Sequence, residues 1–346
     1  MSSFDPDKFK QEQKARWNQG ALSTWTLWKK TQVEDTPAKF FLGLVPIRPG
    51  VKILDLACGS GETSLQVAHL VSSHLKDEAK DAKIVCVDIS DEMLKVLNQR
   101  AQEMGLANMV ETRCEDAEKV DFGAHYFDMV MSQFGVMFLP HLVEDLARIR
   151  GMMKPGSLFS CVVWGEEKDC HIFYAARSVI SPPPPPPGTP VSYGTKEKVM
   201  EALRKAEFSD VKAVEFEVVH ETKDAEEYIT LMSGVNKWME KSLGEKGSEL
   251  WQKLVNYCND RYRTPNEKLT EIKDKVADKI SEMTGNKSPQ DQAKDKASEA
   301  GDRMKDAGSA MKESAQNAGD AVKDKMSSMK ESVSNKAEGV KEGLQK

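Results

Sequence analysis

Three acids and a pair of glycines fall at spacings where a chain meets a ligand. The run ILDLACGSGET, Ile53 to Thr63, is an apolar stretch carrying Asp55, then Ala57, Cys58, Gly59 and Gly61. Glycine is used where backbone turns tightly or approaches a ligand closely. Asp88 closes a second apolar run, KIVCVDIS, and Asp116 follows a third, in MVETRCEDA. Ser132, Gln133 and Phe134 close a fourth, FDMVMSQF. A carboxylate accepts from two donors at once, so Asp88 has the chemistry to hold both hydroxyls of a ribose.

Two cofactor classes use a glycine turn after a first strand. A dinucleotide asks for GxGxxG, whose three glycine positions here are Ala57, Gly59 and Glu62. Glutamate fits poorly at the third, where close helix–strand packing wants glycine. It also puts a carboxylate at the helix N-terminus that should hold pyrophosphate. A nucleoside cofactor without pyrophosphate, such as S-adenosylmethionine, escapes both objections. Its methionyl part carries an ammonium and a sulfonium, which suit an acidic turn.

The elements that must position these residues alternate. Strands are expected at 51–57, 83–90, 109–117, 127–134 and 157–164. Helices are expected at 63–75, 91–104 and 142–153, the last ended by Lys154-Pro155-Gly156. This alternation predicts an α/β fold, a parallel sheet with helices on both faces. In such a sheet ligands bind beyond the carboxyl ends of the strands, where strand order reverses. Six prolines, Pro182 to Pro187, then interrupt the pattern as a stiff spacer or lid loop. A helix at 196–205, a strand at 211–220 and helical segments to Tyr262 complete the expectation.

With these motifs in order, the chain resembles the class I S-adenosylmethionine-dependent methyltransferases. The similarity is to the ubiquinone/menaquinone-biosynthesis-like branch acting on small molecules. It rests on DLACGSG, VDIS with Met93, CEDAE, FDMVMSQFGVMFLP and MMKPGSLFSCVVW, and covers roughly residues 14 to 235. The entry segment RWNQGALSTWTLWKK, with Trp17, Trp25 and Trp28, resembles that group's N-terminal helix. The resemblance implies a Rossmann-like fold and S-adenosyl-L-methionine as cofactor. It places Asp55, Ala57, Gly59 and Gly61 under the methionyl and ribose parts. Cys58, inside that turn, is counted with the cofactor-binding residues and reads as a small space-filler rather than a reactive thiol. It gives Asp88 the ribose hydroxyls, and Ile89 and Met93 the flanks of the adenine. Asp116 would accept from the adenine amino group, with Ala117 supplying a backbone N–H. Ser132 and Phe134 would line the cofactor near its methyl group. The sequence departs from the family pattern at Ala57 and at Glu207, each where glycine is common.

Methyl transfer from a sulfonium needs mainly alignment and exclusion of water, so no compulsory catalytic residue is expected. His141 is the first candidate base, and His171 and Tyr193 are candidates to touch substrate. Asp128 and the methionines Met131 and Met137 are read as structural. The acceptor is expected to be a small molecule, with the N-terminal helix and the 165–195 insert shaping its pocket.

Charge is uneven. The formal net charge is −6, and residues 266–346 hold 16 basic and 16 acidic residues, so the acid excess lies upstream. A nucleic-acid footprint is not expected from that balance. The six cysteines form no CxxC pair, so no metal site is expected, and they read as reduced thiols of a cytoplasmic protein. No signal peptide and no membrane span are visible in the sequence.

Beyond Tyr262 aromatic residues cease. Written in elevens from Ala293, the first position reads Ala293, Met304, Ala315, Met326, Ala337 and the eighth Ala300, Met311, Val322, Val333, Leu344. An eleven-residue repeat matches a nearly straight helix. Few large apolar residues and many glycines predict disorder in dilute solution and helix on a surface or when dried. This tail resembles group 3 late embryogenesis abundant proteins, which implies stress protection. Lipid-surface binding is the rival, weakened by the lack of a basic excess. The expected organisation is an N-terminal helical cap at 1–50, a methyltransferase domain at 51–262 and the repeat tail at 263–346. A non-enzymatic protective or lipid-binding protein on the same scaffold is the alternative.

Overall fold

Runs such as KILDL and KIVCVD are apolar at both alternating sets of positions, the pattern of strands covered on both faces. The computed structural model describes residues 8, 10–20, 36–180, 193–235 and 237–262, all within the unit Met1–Asn286. The polyproline run, Trp25, Trp28 and the repeat tail lie outside the described residues. Five strands form one parallel sheet: β1 (Lys52–Leu56), β2 (Lys83–Asp88), β3 (Val110–Cys114), β4 (Phe127–Gln133) and β5 (Met153–Val162). Their order is β3-β2-β1-β4-β5, so strand order reverses between β1 and β4.

Alternate side chains divide the core. Ile53, Ile84, Met129 and Met131 pack on one face beneath α2 (Thr36–Leu42), α3 (Glu62–Leu75) and α4 (Asp91–Glu103). Leu54, Leu56, Val85, Val87 and Val130 face the other way, toward Ile149 and Met152 of α5 (Leu142–Met152). Phe41 of α2 is fully buried, so this part of the N-terminal segment belongs to the core. A helix α1 spans 10–20. A second cluster, built on Ala176, Ile229, Met232, Trp251 and Leu254, joins α6 (His171–Ile180), α8 (Ala225–Val235), α9 (Lys237–Leu243) and α10 (Glu249–Arg261). Helix α7 (Lys196–Lys205) packs against α5 through Ala202. Among the described residues no helix is long and apolar enough to cross a membrane.

Two expectations change. Lys154-Pro155-Gly156 does not merely stop a helix. It lies inside β5, where Phe127 pairs Met153 and Met129 pairs Leu158, so the triplet forms an irregularity that Gly156 permits at φ +75°. The strand expected at 211–220 is not formed: residues 211–219 join no ladder and only His220 is bridged. Their alternation is satisfied differently. Val214 and Phe216 pack on the core, Phe216 with its ring 5.8 Å from that of Phe40. A cavity of about 2000 Å³ is lined by both β5 and 211–219, and β5 is the last strand of the sheet among the described residues.

Below the sheet, Asp128 is buried at the start of β4 and takes Arg48, Lys154 at 2.7 Å and the Lys52 N–H at 2.8 Å. The structural role read for Asp128 in the sequence is the one it has.

Candidate functional site at the strand ends

The crevice is built at the carboxyl ends of β1, β2 and β4, where strand order reverses. Ala57 adopts φ +58°, Gly59 +55° and Gly61 +81°, so the chain leaves β1 through three left-handed residues and enters α3. The two glycines have different reasons. A Cβ on Gly59 would meet nothing within 4 Å, so this backbone faces open space. A Cβ on Gly61 would stand 2.6 Å from Leu97 Cγ, so Gly61 is required by close packing of α3 on α4. Gly61 thus answers to helix packing in addition to the turn that the resemblance gives to the cofactor.

Asp88 ties the turn to the end of β2. Its Oδ2 accepts from the Gly59 N–H at 2.8 Å and its Oδ1 from the Ser90 N–H at 2.8 Å. Burial pushes its pKa up against these two bonds and one from the Ile89 backbone. Each oxygen keeps acceptor capacity for a further donor. Asp55 lies beneath, fully buried, accepting from Ser64 Oγ, while its Oδ1 has no partner among the described residues. Burial, reinforced by Asp88 and Glu62 and opposed by Ser64, pushes its carboxyl up to about 7. A buried acceptor without a donor, beside a second acid, is suited to a cationic ligand group.

Glu62, in the first turn of α3, is balanced. Its carboxylate takes Ser60 Oγ at 3.0 Å and Arg100 Nη1 at 2.7 Å, and Arg100 also donates to Ser60 O at 2.5 Å. The helix N-terminus thus holds a carboxylate of the chain itself. Cys58 is buried, and burial beside Cys86 pushes its thiol well up, as fits a space-filler.

On the adenine side expected from sequence, Ile89 is half-buried and Met93 buried, with the Met93 N–H bonded to Ser90 Oγ at 3.2 Å. Asp116 and Ala117 lie in the loop after β3, which ends earlier than expected, at Cys114. Asp116 Oδ1 accepts from the Glu118 N–H at 3.0 Å. Its Oδ2 takes Lys10 Nζ of α1 at 2.7 Å. Arg148 fixes the loop through Ala117 O at 2.6 Å and Val120 O at 2.5 Å. Helix α1 lies across these strand ends, because Lys10, Lys14, Trp17 and Asn18 share one helical stripe. Asn18 accepts from Ser90 Oγ at 2.6 Å and donates to Asp91 at 2.9 Å, and Trp17 meets Phe138 edge to face at 5.9 Å.

At the end of β4, Ser132 is fully buried and donates to Leu56 O at 2.8 Å. Its hydroxyl ties β4 to β1 rather than lining open space. Phe134 adopts φ +57° and stacks flat on Trp164, ring centroids 4.2 Å apart and planes 8° from parallel. This aromatic pair lines the cavity beside β5. His171 and Tyr193 line that cavity too. Burial, with Glu144 and Asp145 nearby, raises the Tyr193 phenol. His141 is exposed at the N-cap of α5 and is not among the lining residues.

Sequence reasoning missed Gly135, Arg100, Trp164 and Lys10. Gly135 was detectable as a glycine just past a strand end. The others act on partners far along the chain, Trp164 on Phe134, Arg100 on Glu62 and Lys10 on Asp116, the last across 106 residues, and leave no local signal.

The chain is 32% identical over 130 residues to the ubiquinone/menaquinone biosynthesis C-methyltransferase UbiE of Ectopseudomonas mendocina (strain ymp), covering 38% of this chain and 44% of that protein. It is 33% identical over 117 residues to the protein of the same description from Bordetella parapertussis, covering 34% and 42%. The chain thus spans less than half the length of these relatives. Among solved structures it is similar to a SAM dependent methyltransferase from Aquifex aeolicus, with 18% identity, 59% of this chain and 88% of that one covered, and TM-score 0.38. It is also similar to the [4+2]-cyclase SpnF, with 16% identity, 73% and 92% covered, and TM-score 0.47. Residues 22–176, which include the glycine turn and the Asp88, Asp116 and Phe134 strand ends, match the model of the ubiE/COQ5 methyltransferase family.

Proposed function

We propose that this chain is an S-adenosyl-L-methionine-dependent methyltransferase acting on a small molecule. One observation carries the reading: the Asp88 carboxylate is held by the Gly59 and Ser90 N–H groups with acceptor capacity left over. That is a clasp for two vicinal hydroxyls at the edge of an open glycine turn. The unpartnered Asp55 oxygen supports it, as an acceptor an ammonium would satisfy. Glu62 argues against a pyrophosphate, because its carboxylate fills the first turn of α3. The relatives named as C-methyltransferases, and the family match over 22–176, point the same way.

The bound cofactor supplies an activated methyl group. The chain's part is to hold the acceptor in line with it and to exclude water. The stacked Phe134 and Trp164 form a flat apolar wall for the acceptor, and the cavity beside β5 accommodates it. Tyr193, its phenol raised, serves as a hydrogen-bond donor there rather than as a base. His141 does not face the cavity, so the acceptor's own acidity governs whether a base is needed. The six free thiols fit a cytoplasmic protein. For the tail we retain stress protection, which rests on the eleven-residue repeat alone. The test is transfer of labelled methyl from S-adenosylmethionine to a panel of small phenols, amines and carbon acids. Label appearing in none, with cofactor bound, would leave a binding protein.

A further inference from the structure

We propose that Lys10 gates the adenine end of the crevice: its ammonium holds Asp116 in the free protein and passes to Glu118 and Asp145 when the adenine amino group takes its place. This rests on the cofactor proposed above and on Asp116 accepting from its adenine amino group, the role the family resemblance implies.

Both oxygens of Asp116 are engaged, Oδ1 by the Glu118 N–H and Oδ2 by Lys10 at 2.7 Å. Each oxygen can accept once more, so a ligand amino group either shares Oδ2 with the lysine or displaces it, and the gate is the displacement. The lysine has somewhere to go. It already reaches Glu118 Oε2 at 2.5 Å, and it lies in the electrostatic range of Asp145. Glu118 Oε1 and Asp145 Oδ2 are buried without hydrogen-bond partners among the described residues. Burial of these oxygens is costly unless a donor serves them. Two arrangements of one cation are thus available, one on Asp116 and one deeper on the unpartnered oxygens. Helix α1 need not leave for the exchange. Asn18, two turns along the same stripe, stays clasped to Ser90 and Asp91 at the β2 end, so the Lys10 end can shift by a side-chain rotation.

The experiment is stopped-flow binding of S-adenosylhomocysteine to the full chain, followed by intrinsic tryptophan fluorescence, with Lys10→Met and Glu118→Gln. In Lys10→Met, Asp116 is free, so association quickens about two- to fivefold and loses its acceleration by salt. In Glu118→Gln the lysine loses its alternative partner and stays on Asp116, so binding slows and weakens by a similar factor. Opposite signs are the signature, because a merely structural role moves both variants the same way. Wild type that binds while both variants weaken, or while neither changes, overturns the gate and leaves the cofactor reading intact. Wild type that binds no adenosyl compound overturns both.

Discussion

Gly135 and Ala57 are packed so closely that a Cβ on Gly135 would stand 2.5 Å from the Ala57 Cβ. The same Cβ would be 2.6 Å from Ser132 Oγ and 2.9 Å from Leu56 O. The end of β4 and the turn after β1 are therefore one packed unit, and the crevice inherits its shape from that contact. Gly135→Ala is expected to cost roughly 1–3 kcal/mol in urea unfolding, the usual price of overpacking. Ala57→Gly removes both a strained left-handed Cβ and the nearest obstacle, but adds unfolded-state entropy, so alone it should change stability by less than about 0.5 kcal/mol. The double variant should recover part of the Gly135→Ala loss. A double variant no better than the single would show that Ser132 Oγ and Leu56 O, not Ala57, set the cost.

The two glycines of the turn should separate by assay. Gly61→Ala drives a Cβ into Leu97, so thermal unfolding should reveal a large loss of stability. Gly59→Ala meets no protein atom and should cost only about 1–2 kcal/mol for its left-handed backbone. Yet its methyl projects into the crevice, so adenosyl-cofactor affinity should fall at least about tenfold, one unit of 1.4 kcal/mol. Unchanged affinity in folded Gly59→Ala would mean the crevice is not where the cofactor lies.

Asp55 sets a pH dependence. Its carboxyl is pushed up to about 7 in the folded chain, against an ordinary 3.8. The unfolded chain therefore ionises first as pH rises. The folded chain binds the extra proton between about 4 and 7, so this group makes stability fall across that window and level off above it. A cationic ligand favours the ionised form, so S-adenosylmethionine should bind more tightly as pH rises toward 7 and release a proton on binding below it. Adenosine, lacking the ammonium, should show little of this. Titration calorimetry in buffers of different ionisation enthalpy measures the proton directly. Equal pH profiles for the two ligands would remove Asp55 from the site.

Trp164 should report on the acceptor alone. Its ring stacks on Phe134 and lines the cavity beside β5, among whose lining residues Asp88 does not stand, so Trp164→Ala should raise the acceptor KM about tenfold or more while cofactor affinity holds within about twofold. A matching fall in cofactor affinity would place the pair against the cofactor instead.

The sheet was legible because its inner strands β1, β2 and β4 are buried on both faces, and in KILDL and KIVCVD no helical spacing competes. Asp55, Asp88 and Asp116 were legible as acids in or just past the adjacent strands β1, β2 and β3. Residues 211–219 misled because period-two burial does not require a ladder: Val214 and Phe216 bury themselves against Phe40 and the core. The Lys154-Pro155-Gly156 triplet misled because a breaker of helices also makes a bulge. Gly61 and Ser132 belong to family positions at the site, but here their partners are Leu97 and Leu56. Lys10 was invisible, since nothing local to it announces an acid 106 residues away.

The most direct measurement is titration calorimetry of the full chain with S-adenosylmethionine and, separately, NAD, for wild type and Asp88→Ala. The account predicts binding of the adenosyl sulfonium to wild type, no measurable NAD binding, and a loss of about a hundredfold or more in Asp88→Ala, which forfeits a charge-assisted clasp worth a few kcal/mol. Binding of NAD alone, or S-adenosylmethionine held equally well without the Asp88 carboxylate, would contradict it.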